Sequence, residues 1–400
     1  IIFFSIFSLS IIIFPKFQRF NIISFSFVFY SFWEPLFSLI IVYLILISYF
    51  SFRKDYKLKI SIPLLLAPLI YFKYSSFIFE VFAIKGLGFL NYSAGLPLGI
   101  SFITFTAIAL LVDIKKKVFL GKLELSNLSE FILYFPQLIA GPILRANQLI
   151  PLLKEKIVFK KENIKFEIFL FLVGFTKKIF FADTIAQLID PIFLNPLNFS
   201  SEYILIASLL FPLQIFFDFS GYVDMALGIS NILGIRLPIN FDRPYLSKSL
   251  TEFWRRWHIT LSRWFRDYVY IPLGGSKEGK IKTFYSLIIT MTVAGLWHGA
   301  SWNFILWGLI HGFLLSLEKL NIFSKLNNFL PSIFSIFLTC FIVFNLWIIF
   351  RISDFENLKL FFEILYSGNI YLFNTQVIYA VLILLLGLFS QKYDNYVFIE

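Results

Sequence analysis

Three histidines occur in the 400 residues, His258, His298 and His311, and all of them lie between positions 258 and 311. Two sit in "MTVAGLWHGASWNFILWGLIHG", residues 291–312, a stretch that otherwise reads as membrane interior. A neutral imidazole in such surroundings suits general-base chemistry. Acyl transfer to a hydroxyl needs such a base, because an alcohol is a weak nucleophile until a positioned group takes its proton. The oxyanion that forms needs donors nearby, and a narrow, water-poor channel limits loss of the acyl group to hydrolysis. From Thr283 to Leu317 there is no Asp, Glu, Lys or Arg, a run too long for one crossing. "HGAS", 298–301, is the natural break between two helices. The first, 283–297, would rise only ~22 Å at 1.5 Å per residue, short of the ~30 Å hydrocarbon core. His298 should therefore end its helix inside the membrane, buried and neutral, since desolvation disfavours the charged form. Gly295 and Gly299 would let another chain or a ligand approach the backbone closely.

The third histidine belongs to "SLTEFWRRWHITLSRWFRDYVYIPLGG", residues 249–275. Ser249 followed by Glu252 is a capping-box pattern, which predicts a helix start, and Pro272, Gly274 and Gly275 stop it. On one continuous helix, turned by ~100° per residue, Glu252, Arg255, Arg256, Arg263, Arg266 and Asp267 share a third of the circumference. Trp254, Trp257, Leu261, Trp264, Phe265 and Tyr268 fill the opposite face. An interfacial helix, with aromatics at headgroup depth and arginines toward phosphates, accounts for most of these residues. His258 belongs to neither face; by itself it reads either as a satisfied structural imidazole or as a reacting one.

The elements that must position these groups are membrane helices. The chain is 58% hydrophobic, 20% aromatic and 15% charged, with mean hydropathy +0.81, too little charge for the surface of a soluble domain of this size. Apolar runs near 1–15, 21–33, 36–52, 60–73, 97–112, 166–182, 203–217, 283–297, 301–317, 331–350 and 377–391 predict an all-α polytopic membrane protein of roughly ten to eleven membrane elements, some re-entrant. Gly95, Pro97 and Gly99 suggest a bent start to the span at 97–112. Pro136, Gly141 and Pro142 interrupt 131–153, which reads as a re-entrant element lining a cavity or as a loop on the headgroups. Asp218 and Asp224 are costly near a bilayer centre, so they either pair with arginines or line a wet cavity. One integral-membrane domain, 1–400, is expected: an N-terminal scaffold over 1–112, a motif-bearing core over 126–318 and C-terminal helices over 331–400.

The net charge of +11 gathers in short loops, "RKDYKLK" at 53–59, "DIKKK" at 113–117 and "LKEKIVFKKENIK" at 153–165. Such clusters mark the cytoplasmic side and solvate loops near lipid headgroups, with no need of nucleic acid. Cys340 is the only cysteine, so no intrachain disulfide forms, and it reads as a buried filler. The sequence begins at Ile1, and "IIFFSIFSLSIIIF" lacks a basic n-region; it reads as a membrane segment or the remnant of one, with a natural start that is missing.

At these residues the chain resembles the membrane-bound O-acyltransferase family, in particular its alginate O-acetylation branch. The matching motifs are "LPLGISFITFTAIALLVD", "FPQLIAGPILR", "FSGYVDMALGISNILGI", "FWRRWHITLSRWFRDYVYIPLGG" and "LWHGASWNFILWGLIHG", in the family's order across much of 96–312. Residues 1–90 and 320–400 resemble it mainly in hydropathy. The resemblance implies a multi-helix bundle around a central tunnel, an acetyl-CoA or other acyl-CoA donor from the cytosol, and an acceptor at the other face. It places the family's invariant histidine on His298 and a second position, held by Asn, Asp or His, on His258. His311, Trp297, Gly299, Asn303 and Asp267 would support the site. Arg255, Arg256, Arg263 and Arg266, with Trp254 and Trp257, would meet phosphates of CoA or of lipid. The same resemblance implies an extracytoplasmic acetyltransferase-type partner, a polysaccharide acceptor, the bacterial inner membrane and no metal. "YVDMA", with Val223, departs from the branch's "YSDMA"-like motif and weakens any specific role for Asp224.

Three other readings stay open. D-alanyl transfer to a cell-wall polymer uses related membrane proteins. A transporter would explain intramembrane ionisable residues, against which stand the absence of inverted repeats and the concentration of polar groups in one unit. An inactive scaffold would need neither histidine.

Overall fold

Apolar runs with no partner for their backbone other than themselves become helices, and the computed structural model is helical throughout, with no strand among the described residues. Those are residues 2–32, 35–82, 95–139, 141–157, 159, 161–320, 331–367 and 375–393; the expected ends at Ile1 and in "YVFIE" lie outside them. In chain order the helices are α1 (Ile2–Ile13), α2 (Gln18–Ser31), α3 (Ser38–Arg53), α4 (Leu58–Leu69), α5 (Ser75–Val81), α6 (Ile100–Lys115), α7 (Leu125–Leu133), α8 (Phe135–Leu138), α9 (Ala146–Lys154), α10 (Lys161–Thr176), α11 (Asp183–Leu194), α12 (Ser201–Ile232), α13 (Leu250–Arg256), α14 (Ile259–Phe265), α15 (Lys280–His298), α16 (Trp302–Lys319), α17 (Ser332–Arg351), α18 (Phe355–Ser367) and α19 (Thr375–Tyr393).

Among the described residues four helical stretches are long and apolar enough to cross a membrane unaided: Pro35–Arg53, Leu58–Val81, Ser201–Ile232 and Ser332–Arg351. The bent pair Ile2–Ile13 and Pro15–Ser31, turning by 110°, would make a fifth. Other apolar elements expected from hydropathy are shorter or start in charge. Helix α6 has 16 residues, and α15 begins with Lys280 and Lys282 three residues before the predicted start.

The chain divides into two compact units. The first comprises 1–171 with 224–238. Its core holds Phe7, Ile22, Leu44, Phe131 and Tyr134, all at most 2% exposed, and the Phe135 ring packs on Phe3, Phe7 and Phe29. The interrupted stretch around Pro136 is covered by protein, with residues 131–138 all buried, as irregular backbone away from water requires. Tyr134 Oη lies 2.7 Å from Ser230 Oγ, fastening α7 to the end of α12. Glu130 is buried against Arg19, with Nε 3.4 Å from Oε2. Burial pushes the Glu130 carboxyl up to about 7, opposed by the Arg19 charge and hydrogen bond.

The second unit, 172–223 with 239–400, carries the three histidines. Helices α15 and α16 form its central hairpin. They approach closely because the contact positions are glycine: a Cβ on Gly308 would strike the Met291 carbonyl, and one on Gly295 the Phe304 carbonyl. Helix α17 packs on α16 and reaches α13. The segment before α13 is pinned by Tyr245, whose hydroxyl donates to the Pro212 carbonyl at 2.7 Å. Cys340 is a packed filler, its Sγ 3.1 Å from the Tyr245 carbonyl.

Candidate active site

The predicted helix over the basic-aromatic stretch is interrupted at the histidine. Helix α13 ends at Arg256, Trp257 is extended, His258 adopts a left-handed conformation with φ 43°, and α14 starts at Ile259. A left-handed non-glycine residue costs about 1–2 kcal/mol, and Asn240 supplies the compensation. Its Oδ1 accepts from Thr260 N and Thr260 Oγ1, each at 3.0 Å, and lies 3.3 Å from His258 Nδ1. The Asn240 carbonyl accepts from Ile259 N at 2.9 Å. At the other end the expected cap forms, Ser249 Oγ accepting from Glu252 N at 3.2 Å. Glu252 reaches back to Lys248 N rather than to the cap residue, and Glu318 accepts from Leu250 N and Thr251 N.

His258 is 1% exposed, its ring edge-on to Phe219 at 4.6 Å and 6.1 Å from Trp297. Burial pushes its imidazole down to about 3, so it is neutral at physiological pH. His311 is equally buried; its Nδ1 accepts from Trp254 Nε1 at 3.3 Å. His298 is different. Expected to be buried, it is only partly so, and its open edge lines a cavity of about 540 Å³. Trp297 stands between His298 and His258, and Trp307 between His298 and His311, at centroid distances of 4.7, 6.1, 5.3 and 4.7 Å.

The cavity follows one stripe of α15, from Leu287 through Thr290, Met291 and Ala294 to His298. The eleven helical steps from Leu287 to His298 rise ~16 Å. The antiparallel α16 brings Lys319 to the end opposite His298, and Arg255, Arg263 and Arg266 line the same space. Arg255, Arg263 and Lys319 are exposed and make no ion pair among the described residues. Thus three of the four predicted arginines and Trp254 reach the cavity, although the helix carrying them is broken. Arg256 does not; it pairs with Glu252 at 2.6 Å. Trp257 does not either, being 3% exposed among Phe241, Phe253 and Trp347. Asp267 pairs with Arg266 at 2.8 Å. Asn303 donates to the Ile352 carbonyl at 2.5 Å and fixes the start of α16 to the end of α17. Gly299 leaves room for the Phe304 ring.

Asp218 pairs with Lys178 at 2.5 Å rather than with an arginine, and it also faces a second cavity. Asp224 is buried. Asn240, Trp307 and Phe350 are structurally central yet were missed from the sequence. Only Asn240, a polar residue in "LPINFD", offered a signal. Among the described residues no group of three His, Cys, Asp or Glu side chains could hold a metal ion.

The stretch that carries this site is covered by the comparison with known proteins. A family model, membrane-bound O-acyltransferase, matches residues 20–355. The chain belongs to the membrane-bound O-acyltransferase family. It is therefore an integral membrane protein, and the all-α bundle is that of the family. A Pseudomonas aeruginosa protein described as "probable alginate O-acetylase" is 37% identical over 307 residues, 74% of this chain and 58% of its own. A Helicobacter pylori peptidoglycan O-acetyltransferase is 33% identical over 382 residues, 86% of this chain and 72% of its own. A teichoic acid D-alanyltransferase of Streptococcus thermophilus is 34% identical over 232 residues, 54% of this chain and 55% of its own. This chain thus spans a little under three fifths of the length of the Pseudomonas aeruginosa relative.

Proposed function

We propose that this chain is an O-acyltransferase of the bacterial inner membrane, moving an acetyl group from acetyl-CoA toward a hydroxyl of an exported polysaccharide with an extracytoplasmic partner protein. The observation that supports it is the single open histidine: His298 ends a cavity whose far end and walls carry Lys319, Arg255, Arg263 and Arg266. A thioester with a phosphorylated handle fits that polarity, phosphates toward the cations and acyl end toward the imidazole. Trp254 and Met291 give the wall an apolar surface for the pantetheine arm.

In this reading His298 takes the acceptor hydroxyl's proton as the oxygen attacks the acyl carbon. The C–O bond forms, the C–S bond breaks, and the same proton passes from the imidazole to the departing thiolate. His258 and His311 do not touch the substrate. They hold Trp297 and Trp307, the two rings that set the orientation of His298. The relatives' names support both O-acetylation and D-alanylation of surface polymers.

The test uses the full chain in lipid vesicles with labelled acetyl-CoA. Release of CoA together with label on added polysaccharide, lost in His298→Ala, is the expected result. Transfer only from a D-alanyl carrier-protein thioester would move the assignment to that chemistry. Solute flux without acyl transfer would overturn it.

A further inference from the structure

Away from the histidines, a cavity of about 280 Å³ lies where the ends of α9 and α12 meet the first half of α10. Glu155, Lys156, Glu167, Asn231 and Arg236 are among its lining residues, and all of its walls belong to the first compact unit. Three local features build it. Gln18 of α2 fixes one wall: its Nε2 donates to the Glu155 carbonyl at 2.9 Å, and its Oε1 accepts from Ile157 N at 2.9 Å. Gly228 lets α12 close on α10, since a Cβ there would strike the Glu167 carbonyl. Gly234, left-handed at φ 76°, ends α12 with its N–H donating to the Asn231 carbonyl at 2.8 Å, a conformation glycine adopts without strain.

The charged lining is balanced, two cations (Lys156 and Arg236) against two carboxylates (Glu155 and Glu167). Lys156, Arg236 and Glu155 are exposed and make no ion pair among the described residues. Glu167 accepts from Asn231 Nδ2 at 2.9 Å. Asn231 Oδ1 is buried with no hydrogen-bond partner among the described residues, and a buried acceptor without a donor is costly. The C-terminal end of α12 adds partial negative charge beside it. A lone anion here would face two carboxylates, and a lone ammonium would face two cations. A molecule that carries both charges satisfies the whole lining. Its depth is set by α12, which is long and apolar enough to cross a membrane and so ends among headgroups. The basic stretch 153–165 beside it marks the cytoplasmic leaflet. Ile168 and Phe169, next after Glu167 on α10, are 46% and 61% exposed and offer an apolar surface to acyl chains.

We propose that this cavity binds the phosphoethanolamine headgroup of a phospholipid of the cytoplasmic leaflet, its phosphate held by Arg236 and Lys156 and its ammonium donating to Glu167, Glu155 and Asn231 Oδ1. The acyl chains run over Ile168 and Phe169. A lipid so placed ties α9 and α10 to the end of α12 and stabilises the first unit. None of these residues meets the acyl group, so the site stands apart from the O-acyltransferase reading.

The test uses the full chain purified in detergent, read by mass spectrometry of intact protein–lipid complexes and by melting temperature. The probes are phosphatidylethanolamine, phosphatidylcholine and phosphatidylglycerol with the same acyl chains, and soluble glycerophosphoethanolamine. One phosphatidylethanolamine should stay bound and raise the melting temperature. Phosphatidylcholine, whose nitrogen has no N–H to donate, and phosphatidylglycerol should each bind about tenfold more weakly. Arg236→Gln and Glu167→Gln should each weaken phosphatidylethanolamine binding about tenfold while melting near wild type without lipid. Glu155→Lys should move the preference toward phosphatidylglycerol, a gain that a damaged fold does not give. Equal retention of the three phospholipids by wild type, unchanged phosphatidylethanolamine binding in both glutamine variants, or an equal loss of all three lipids in those variants would overturn the site. Binding of the soluble compound as tight as that of the phospholipid would place the ligand in water and overturn the lipid assignment.

Discussion

His298 is set apart from the other two histidines by its open edge, and for that reason it is the one we propose for the proton transfer. Replacing it removes the base and little packing, because its neighbours Trp297, Trp307 and Phe350 contact one another or other rings. His298→Ala should lower acyl transfer by about 10²–10⁴-fold, with expression and melting temperature near wild type; transfer at more than a tenth of the wild-type rate would remove it from the reaction. His258 makes a different prediction, about stability. Its folded imidazole is held down to about 3 by burial, while an unfolded one titrates near 6.5. A depressed pKa gives stability that is complete above about 6.5 and is lost as pH falls toward 3. Between pH 7 and 5 the loss is about 2 kcal/mol. His258→Asn keeps a residue that tolerates φ 43°, so it should flatten the fall in melting temperature over that interval. Parallel melting curves for the two proteins would show that the ring is not buried neutral.

At the scale of elements, the break between α13 and α14 matters most, because Trp254 and Arg255 before it and Arg263 and Arg266 after it line one cavity. Its fastening is Asn240, 18 residues before His258. Asn240→Ala strips acceptors from Thr260 and from the imidazole in a buried site and should cost about 3 kcal/mol, read as a lower melting temperature and a raised donor KM. If Asn240→Ala melts within a degree of wild type, the break is held by something else. Features confined to one segment were legible in the sequence. Helices α3 and α17 could be read from hydropathy, since a long apolar run is a property of one segment. The Ser249 cap, equally local, was also legible. The kink at His258 was not, because a helical wheel carries no information about a partner elsewhere in the chain. Gly295 announced a close approach, but Gly308, which meets Met291 across the hairpin, had no visible partner until the two helices were paired. Trp307 was indistinguishable in sequence from the other apolar residues of α16, and its place between two histidines comes entirely from packing.

On the scale of the whole molecule, charge is distributed unevenly between two cavities. Arg255, Arg263 and Lys319, which make no ion pair among the described residues, line the cavity that His298 faces, whereas at the second cavity Asp190 pairs with Arg351 and Asp218 with Lys178. The resemblance implies that the four arginines meet phosphates; the structure brings Arg255, Arg263 and Arg266 to one cavity and holds Arg256 in an ion pair with Glu252. It adds Lys319 from a helix whose basic last residue gave no sign of that role. If these cations serve the donor's phosphates, binding must weaken with salt, since the Debye length falls from ~10 Å at 0.1 M to ~3 Å at 1 M. Raising salt across that range should increase the KM for acetyl-CoA several-fold. A phosphate-free acetyl thioester of the same arm should show a higher KM with almost no salt dependence. Arg263→Ala combined with Lys319→Ala should bring acetyl-CoA toward that phosphate-free behaviour, in vesicles of neutral lipid so that headgroup phosphates do not compete. Equal salt dependence for the two thioesters would mean that the arginines face lipid, and the donor would have to reach His298 without help from charge.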